Sequence, residues 1–237
     1  MIEALNFETA HLFGDTLPSL LKARYNEFIL RQKYDVQSYN KMEYDQYDTP
    51  AAVYFAWKDR ERLVKGGMRI SPTNRPYMIR EIWPNAISYI QTPVSQTVWE
   101  LTRFFIDRRV EGVQNRRKAH GEILCALLEF ALDHGITNYI GIAPPLLWDF
   151  TYARCGWPVH PIGDVLDIGF TENVRVCMLN ISDEILEDVR TKMKIRNNVL
   201  PNIPVPIEES SSINENLYIG RNLYQSVDIS TTYLGDK

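Results

Sequence analysis

With 237 residues, 45% of them hydrophobic, the chain can bury one large core, and its formal net charge of −4 gives a polyanion such as nucleic acid no overall attraction. Cys125, Cys155 and Cys177 lack CxxC or CxxH spacing and read as reduced, packed thiols. No stretch approaches the roughly 20 apolar residues that span a bilayer, and MIEALNFETAHLFGD lacks the order of a secretory signal, so a cytoplasmic protein without a membrane partner is expected.

From Gly14 to Lys33 the pattern predicts a helix, with Asp15 or Thr16 as its cap, Pro18 in the first turn and Leu17, Leu20, Leu21 and Phe28 at helical spacing. Arg24 falls on the same stripe, where a guanidinium either finds a buried partner or snorkels out at the edge. KMEYDQYDTP follows, with Glu43, Asp45 and Asp48 crowded into a short polar stretch. AAVYFAWKD, the turn RER and LVKGGMRIS then read as a β-hairpin. On its second strand strict alternation places Leu63, Lys65, Gly67 and Arg69 on one face and Val64, Gly66, Met68 and Ile70 on the other, with Gly66 and Gly67 allowing close approach to the backbone.

PTNRPYMIREIWP and SYIQTPVSQT read as loops, the first with one helical turn. VWELTRFFID, residues 98 to 107, is apolar on both faces like a central covered strand, yet contains Glu100 and Arg103. Strict alternation sends these two to opposite sides; a one-residue bulge brings them to the same side. Arg117 to His134 is an amphipathic helix closed by Gly135. NYIGIA is a strand, PLLWDFTYARCGW a short helix stopped by Gly156, VRVCMLNI a strand and SDEILEDVRTKM a capped helix. Beyond Leu200 the Pro-, Ser- and Asn-rich stretch 201–237 reads as a tail carrying LYIGRNLY as a docked segment, so that residues 1–200 form the domain.

Glu43, Asp45, Asp48 and Glu100 balance Arg24, Arg69 and Arg103, which points to one buried ion-pair network. Such a network adds little stability over an apolar core, and it serves either to orient a polar ligand or as structure alone. The three clustered carboxylates lack the ligand order of a calcium loop, and no metal is expected. His11, His120, His134 and His160 are isolated, and neither GxSxG nor GxxxxGK[ST] occurs, which argues against hydrolase and nucleotide triphosphatase chemistry.

Arg24 and Phe28, then E-x-D-x-x-D at Glu43, Asp45 and Asp48, then GGMR ending in Arg69, then WELTRF carrying Glu100 and Arg103, resemble in this order the acyl-homoserine lactone synthases of LuxI type, over roughly residues 1 to 195. The resemblance implies an α/β fold: a three-layer α/β/α sandwich with a mixed, splayed sheet, similar to the GNAT acyltransferases. It implies two substrates and no separate cofactor: S-adenosylmethionine, and an acyl group carried on coenzyme A or acyl carrier protein. The amine attacks the thioester, and the methionine carboxylate then displaces the sulfonium, giving 5′-methylthioadenosine and an N-acyl-homoserine lactone, a quorum-sensing signal. Another GNAT-like N-acyltransferase or a silent binding module are the rival readings.

Carried over residue by residue, the resemblance makes Glu43, Asp45, Asp48, Arg69, Glu100 and Arg103 the catalytic set. The proton acceptor for the α-ammonium is Glu43 or Glu100. Backbone N–H groups of 103 to 105 face the oxyanion. Arg24, Phe28, Tyr34, Phe104, Phe105 and Trp148 bind substrate, Tyr34 standing where the family usually has tryptophan. Phe104, Leu127, Ile142 and Trp148 would form an apolar acyl pocket. SPTNRPYM and WELTRFF look most like the branch that includes users of acyl-coenzyme A, while the basic stretches 108–118 and 190–196 suit an acidic carrier protein.

Overall fold

A computed structural model describes residues 1–169, 173–201 and 205–207. In chain order the strands are β1 (Ile2–Leu5), β2 (Ser38–Tyr39), β3 (Met42–Glu43), β4 (Val53–Lys58), β5 (Val64–Pro72), β6 (Val98–Ile106), β7 (Asn138–Ala143), β8 (His160–Leu166) and β9 (Val174–Asn180). Seven of them form one sheet in the order β1-β4-β5-β6-β7-β9-β8, and β2 pairs with β3 apart from it. The β6–β7 pair is parallel and its neighbours are antiparallel, so the sheet is mixed. The parallel pair requires a crossover, which the long helix α3 (Val113–Asp133) supplies.

Helices cover both faces, as expected for the three-layer α/β/α sandwich. On one face α3 packs with α4 (Pro145–Thr151) and α5 (Asp183–Met193) over Phe55, Ile70, Leu101 and Tyr139. The other face carries α1 (Thr16–Arg24) over Tyr54, Ala56 and Phe105, and further along α2 (Met78–Ile82) over Ile140, Ile162 and Val176. α1 does not stop at Arg24: the chain continues as a π-helical segment, Tyr25–Arg31, which keeps Phe28 buried. Gly67 lets α1 approach, because a Cβ there would stand 2.5 Å from Leu20 Cδ1 and 2.6 Å from the Phe55 carbonyl oxygen.

Two irregularities shape the centre of the sheet. Between β5 and β6, Gly67 pairs with Phe105 and Arg69 with Thr102, so Met68 faces both Arg103 and Phe104, and Arg103 takes φ +59°. The expected bulge is therefore present. β6 and β7 pair only from Val98/Asn138 to Glu100/Ile140, although β6 runs on to Ile106 and β7 to Ala143. Beyond Glu100 the two strands part, and the sheet is splayed there.

Several expectations need correction. Neither Asp15 nor Thr16 caps α1 with its side chain; the Thr16 hydroxyl instead serves Glu3 and the Phe13 carbonyl. Val64 lies on the α1 face, not with Met68 and Ile70, because Trp57 pairs with Gly66 and Lys58 with Val64, leaving Lys65 as an extra residue. α3 begins at Val113, a turn before Arg117. β1, β2, β3 and β8 had no counterpart among the expected strands. The compact unit extends to Ile207, and Val205 is buried in the main core with its carbonyl at 3.0 Å from His134 Nε2. The expected tail from residue 208 onward, including LYIGRNLY, lies outside the described residues.

Candidate active site

Arg24, buried at the end of α1, reaches across to the acidic stretch that follows β3. Its Nε donates to Glu43 at 2.5 Å, and Nη1 and Nη2 donate to the two Asp48 oxygens at 2.7 and 2.9 Å. Arg69, buried on β5, donates through Nη1 to Asp45 at 2.5 Å and to Asp48 at 2.9 Å, while its Nε donates to the Thr102 hydroxyl at 3.0 Å. Arg103 completes the ring: Nε donates to Glu43 at 3.0 Å and Nη2 to Asp45 at 2.8 Å. Three guanidiniums and three carboxylates thus form one closed network; Glu100, which the charge balance of the sequence had grouped with them, stands outside it on the backbone N–H groups of Met78 and Ile79.

The backbone explains each placement. Alternation sends Arg69 to the α1 face of β5 and Glu100 and Thr102 to the same face of β6. Arg103, one residue after Thr102, would point to the α3 face in a regular strand; the bulge and its left-handed φ turn it back. Its guanidinium then stands 5.5 Å from the Phe28 ring centre, over the aromatic face. Phe28 stacks on Tyr34 at 6.0 Å and meets Phe105 edge-on at 6.0 Å.

The carboxylates divide into two kinds. Burial alone would raise the Asp48 carboxyl, but the hydrogen bonds from Arg24 and the charges of Arg69 and Arg24 hold it well below the usual carboxylate range. Glu100, 1% exposed, accepts no hydrogen bond from an arginine among the described residues; it accepts the backbone N–H groups of Met78 at 3.1 Å and Ile79 at 2.7 Å at the start of α2. Burial pushes its pKa up to about 7, against those N–H groups and the charge of Arg69, which favour the anion. A carboxyl that titrates near neutrality is suited to accept a proton, whereas Glu43 is held on its two oxygens by the guanidiniums of Arg24 and Arg103.

The structure therefore brings together Arg24, Glu43, Asp45, Asp48, Arg69 and Arg103, with Phe28, Tyr34 and Phe105 beside them and Glu100 on the same face. It does not bring Phe104 or Trp148 to the network. Phe104 packs against the α3 face, its ring 5.6 Å from that of His120. Trp148 packs on Gly141 from α4 and donates its Nε1–H to the Arg175 carbonyl. Of the expected apolar pocket, Leu127 shares their face, but Ile142 belongs to the cluster on the opposite one. Thr102 and Tyr54, whose hydroxyl donates to Asp48 at 3.1 Å, are partners that the sequence reading missed. A cross-strand signal existed for Tyr54, which pairs with Arg69, but only once the register is known.

A family model described as autoinducer synthase matches residues 10–189. The isovaleryl-homoserine lactone synthase of Bradyrhizobium diazoefficiens is 29% identical over 165 residues, 69% of this chain and 72% of that protein. Among solved structures, the CoA-dependent acyl-homoserine lactone synthase BjaI with SAM and isopentyl-CoA superposes with a TM-score of 0.76 at 24% identity, covering 85% of this chain and 92% of that one. A structure described as an N-acetyltransferase from Lactobacillus plantarum shares the fold more distantly, with a TM-score of 0.50 at 14% identity over 77% of this chain and 98% of that one.

Proposed function

The chain belongs to the autoinducer synthase family and is an acyltransferase that makes acyl-homoserine lactones, and we propose that it takes its acyl group from coenzyme A and that Glu100 is its general base. The base assignment is carried by one observation: Glu100 is the carboxylate of this face that no arginine engages, and its pKa lies near 7. The α-ammonium of S-adenosylmethionine must lose a proton before attack, and a buried acceptor of this pKa takes it at neutral pH. The amine nitrogen then bonds to the thioester carbon, the C–S bond breaks, and the second nitrogen proton leaves with the thiol. In the second step the substrate carboxylate displaces the sulfonium and closes the lactone, releasing 5′-methylthioadenosine.

Arg103 is the network arginine with an uncommitted arm: its Nη1 donates to none of the three carboxylates, whereas Arg24 and Arg69 use every nitrogen. It is therefore the residue for the substrate carboxylate, with Phe28 and Tyr34 as the aromatic wall for the sulfonium. Where β6 parts from β7, the β6 backbone from Arg103 to Phe105 offers N–H groups to the oxyanion and an edge to the amides of a pantetheine arm. Phe104 and Trp148 would then meet the acyl chain from the other side of the splay. The first turns of α3 carry Arg116, Arg117 and Lys118, and Arg117 bonds the Lys192 carbonyl at the end of α5, so the two basic stretches adjoin. A donor's phosphates are suited to that corner. The likeness to a CoA-dependent synthase favours coenzyme A over a carrier protein.

The test is product analysis by mass spectrometry, with S-adenosylmethionine and matched acyl groups on coenzyme A and on acyl carrier protein. Lactone and methylthioadenosine from the coenzyme A donors are expected. Turnover from the carrier protein alone would overturn the donor assignment, and a fully active Glu100→Gln enzyme would overturn the base.

A further inference from the structure

Ser71 lies at the end of β5, directly opposite Glu100 in the β5–β6 ladder. It is two residues from Arg69, so its side chain points to the same face as Arg69, Glu100 and Thr102. The residue is 5% exposed, and its hydroxyl has no hydrogen-bond partner among the described residues. Thr102, Tyr54 and Tyr77 on this face are engaged, by Arg69, by Asp48 and by the Pro93 carbonyl. A buried hydroxyl without a partner costs about 1–3 kcal/mol. Serine in a strand is thus a liability here unless something in the working enzyme meets it.

The place of the gap indicates what that something is. Ser71 stands directly opposite Glu100, yet its hydroxyl bonds neither that carboxylate nor any other described group, so one small polar group that meets both would satisfy it. Glu100 itself is almost closed off, and each of its oxygens has a lone pair left after accepting one backbone N–H. A buried water needs two to four polar partners, and the hydroxyl, the carboxylate and a substrate ammonium are three.

We propose that Ser71 is a positioning residue for the proton transfer: together with Glu100 it holds one water, through which the ammonium of the amine substrate loses its proton to the carboxylate. The water receives one proton from nitrogen as it gives another to Glu100, and it ends unchanged. The free amine then attacks as described above. The inference rests on the reading of Glu100 as the base. Its pH dependence is set by the groups that face Glu100: Arg69 on β5, Asp45 and Tyr47 in the acidic stretch and Tyr77 ahead of α2. Substitution of Ser71 removes none of them.

The experiment is a pH profile of kcat/KM for Ser71→Ala and Ser71→Thr beside Glu100→Gln, with thermal melting of each. Ser71→Ala is expected to lose about tenfold in kcat/KM, one hydrogen bond's worth. Its acid limb should move to higher pH, because a donor to the anionic carboxylate has been lost. Its melting temperature should stay level or rise, and Ser71→Thr should restore rate and limb. A Ser71→Ala enzyme with the wild-type rate and limb refutes the proposal, as does one that melts lower with its limb unmoved, the mark of a purely structural hydroxyl. If Glu100→Gln is inactive in either case, the base assignment survives alone. If Glu100→Gln keeps full activity, both fall.

Discussion

Glu100→Gln should change the pH dependence of stability in a way that only a buried, arginine-free carboxyl explains. In the folded chain this carboxyl is moved from 4.5 to about 7. Below 4.5 folded and unfolded states are both protonated and the group is neutral to stability. As pH rises through the interval, the unfolded chain gives up the proton while the folded chain keeps it, so stability falls; above the folded pKa the loss is complete. At about 1.36 kcal/mol per pH decade the full loss is about 3 kcal/mol, with little reduction for solvent because the side chain is buried. Glutamine cannot titrate. It also turns an amide N–H₂ toward the backbone N–H of Met78 or Ile79, which costs about 1–3 kcal/mol at every pH and lowers the curve without tilting it. Urea unfolding of both proteins from pH 5 to 8.5 measures the difference directly. The variant should gain about 2–3 kcal/mol on the wild type across that range while losing its activity. Parallel curves would refute the raised pKa and, with it, the physical ground for calling Glu100 the base.

Asp48→Asn should destabilise by about 3–5 kcal/mol in denaturant titration, because it leaves Arg24 and Arg69 buried beside a neutral amide. The Asp48 carboxyl is held low, so its stabilisation is complete above the ordinary carboxyl pKa and lost only as pH falls toward the folded value; the variant's deficit should shrink in acid. Gly67→Ala should lower the melting temperature, with about 1–3 kcal/mol of overpacking, since Leu20 can swing aside but the Phe55 carbonyl cannot. Arg103→Lys should raise KM for S-adenosylmethionine about tenfold and leave KM for the acyl donor unchanged, because an ammonium lacks the fork that holds Glu43 and Asp45 while reaching a third carboxylate. An equal rise in both KM values would count against that role.

Much of this site was legible because it breaks local rules. An arginine on an apolar helix stripe and a Glu and Arg three apart inside a covered strand demand partners, and the acidic stretch offers them. What stayed hidden depended on register. That Tyr54 faces Arg69 follows from the β4–β5 pairing, which carries a one-residue shift at Lys65. β8 was missed because Pro161, Gly163 and Asp164 interrupt any strand pattern; it is an edge strand, where proline is tolerated, and Gly163 is needed because a Cβ would strike the Ala86 carbonyl. β1 is four residues long, too short for alternation to declare itself. Phe104 went to the other face for the same reason that Arg103 did not: the bulge reverses one residue and the strand then resumes its period.

The network also bears on how a cationic substrate is received. Glu43, Asp45 and Asp48 suggest an attractive negative patch when read alone, yet each is matched by a guanidinium, and the six groups sum to zero charge. A closed neutral ring has little field left for a sulfonium or an ammonium. Against an apolar core of the same volume it also gains little stability. Its physical effect is directional: it fixes the guanidinium of Arg103, which the left-handed backbone has already turned inward, with one arm uncommitted. On the proposed reading Phe28 and Tyr34 meet the sulfonium, and the attraction for the ammonium comes from Glu100, whose anion gains a partner when the substrate arrives. A positive charge placed there lowers the pKa that burial had raised, so binding itself readies the carboxylate to take the proton. By linkage, the affinity for the cationic substrate must rise as pH passes through the free enzyme's Glu100 value, and a Glu100→Gln protein must bind it with no such step. Calorimetric titration of S-adenosylmethionine at pH 6 and pH 8 distinguishes the two cases, and an equal step in both proteins would return the role of cation receptor to the acidic stretch.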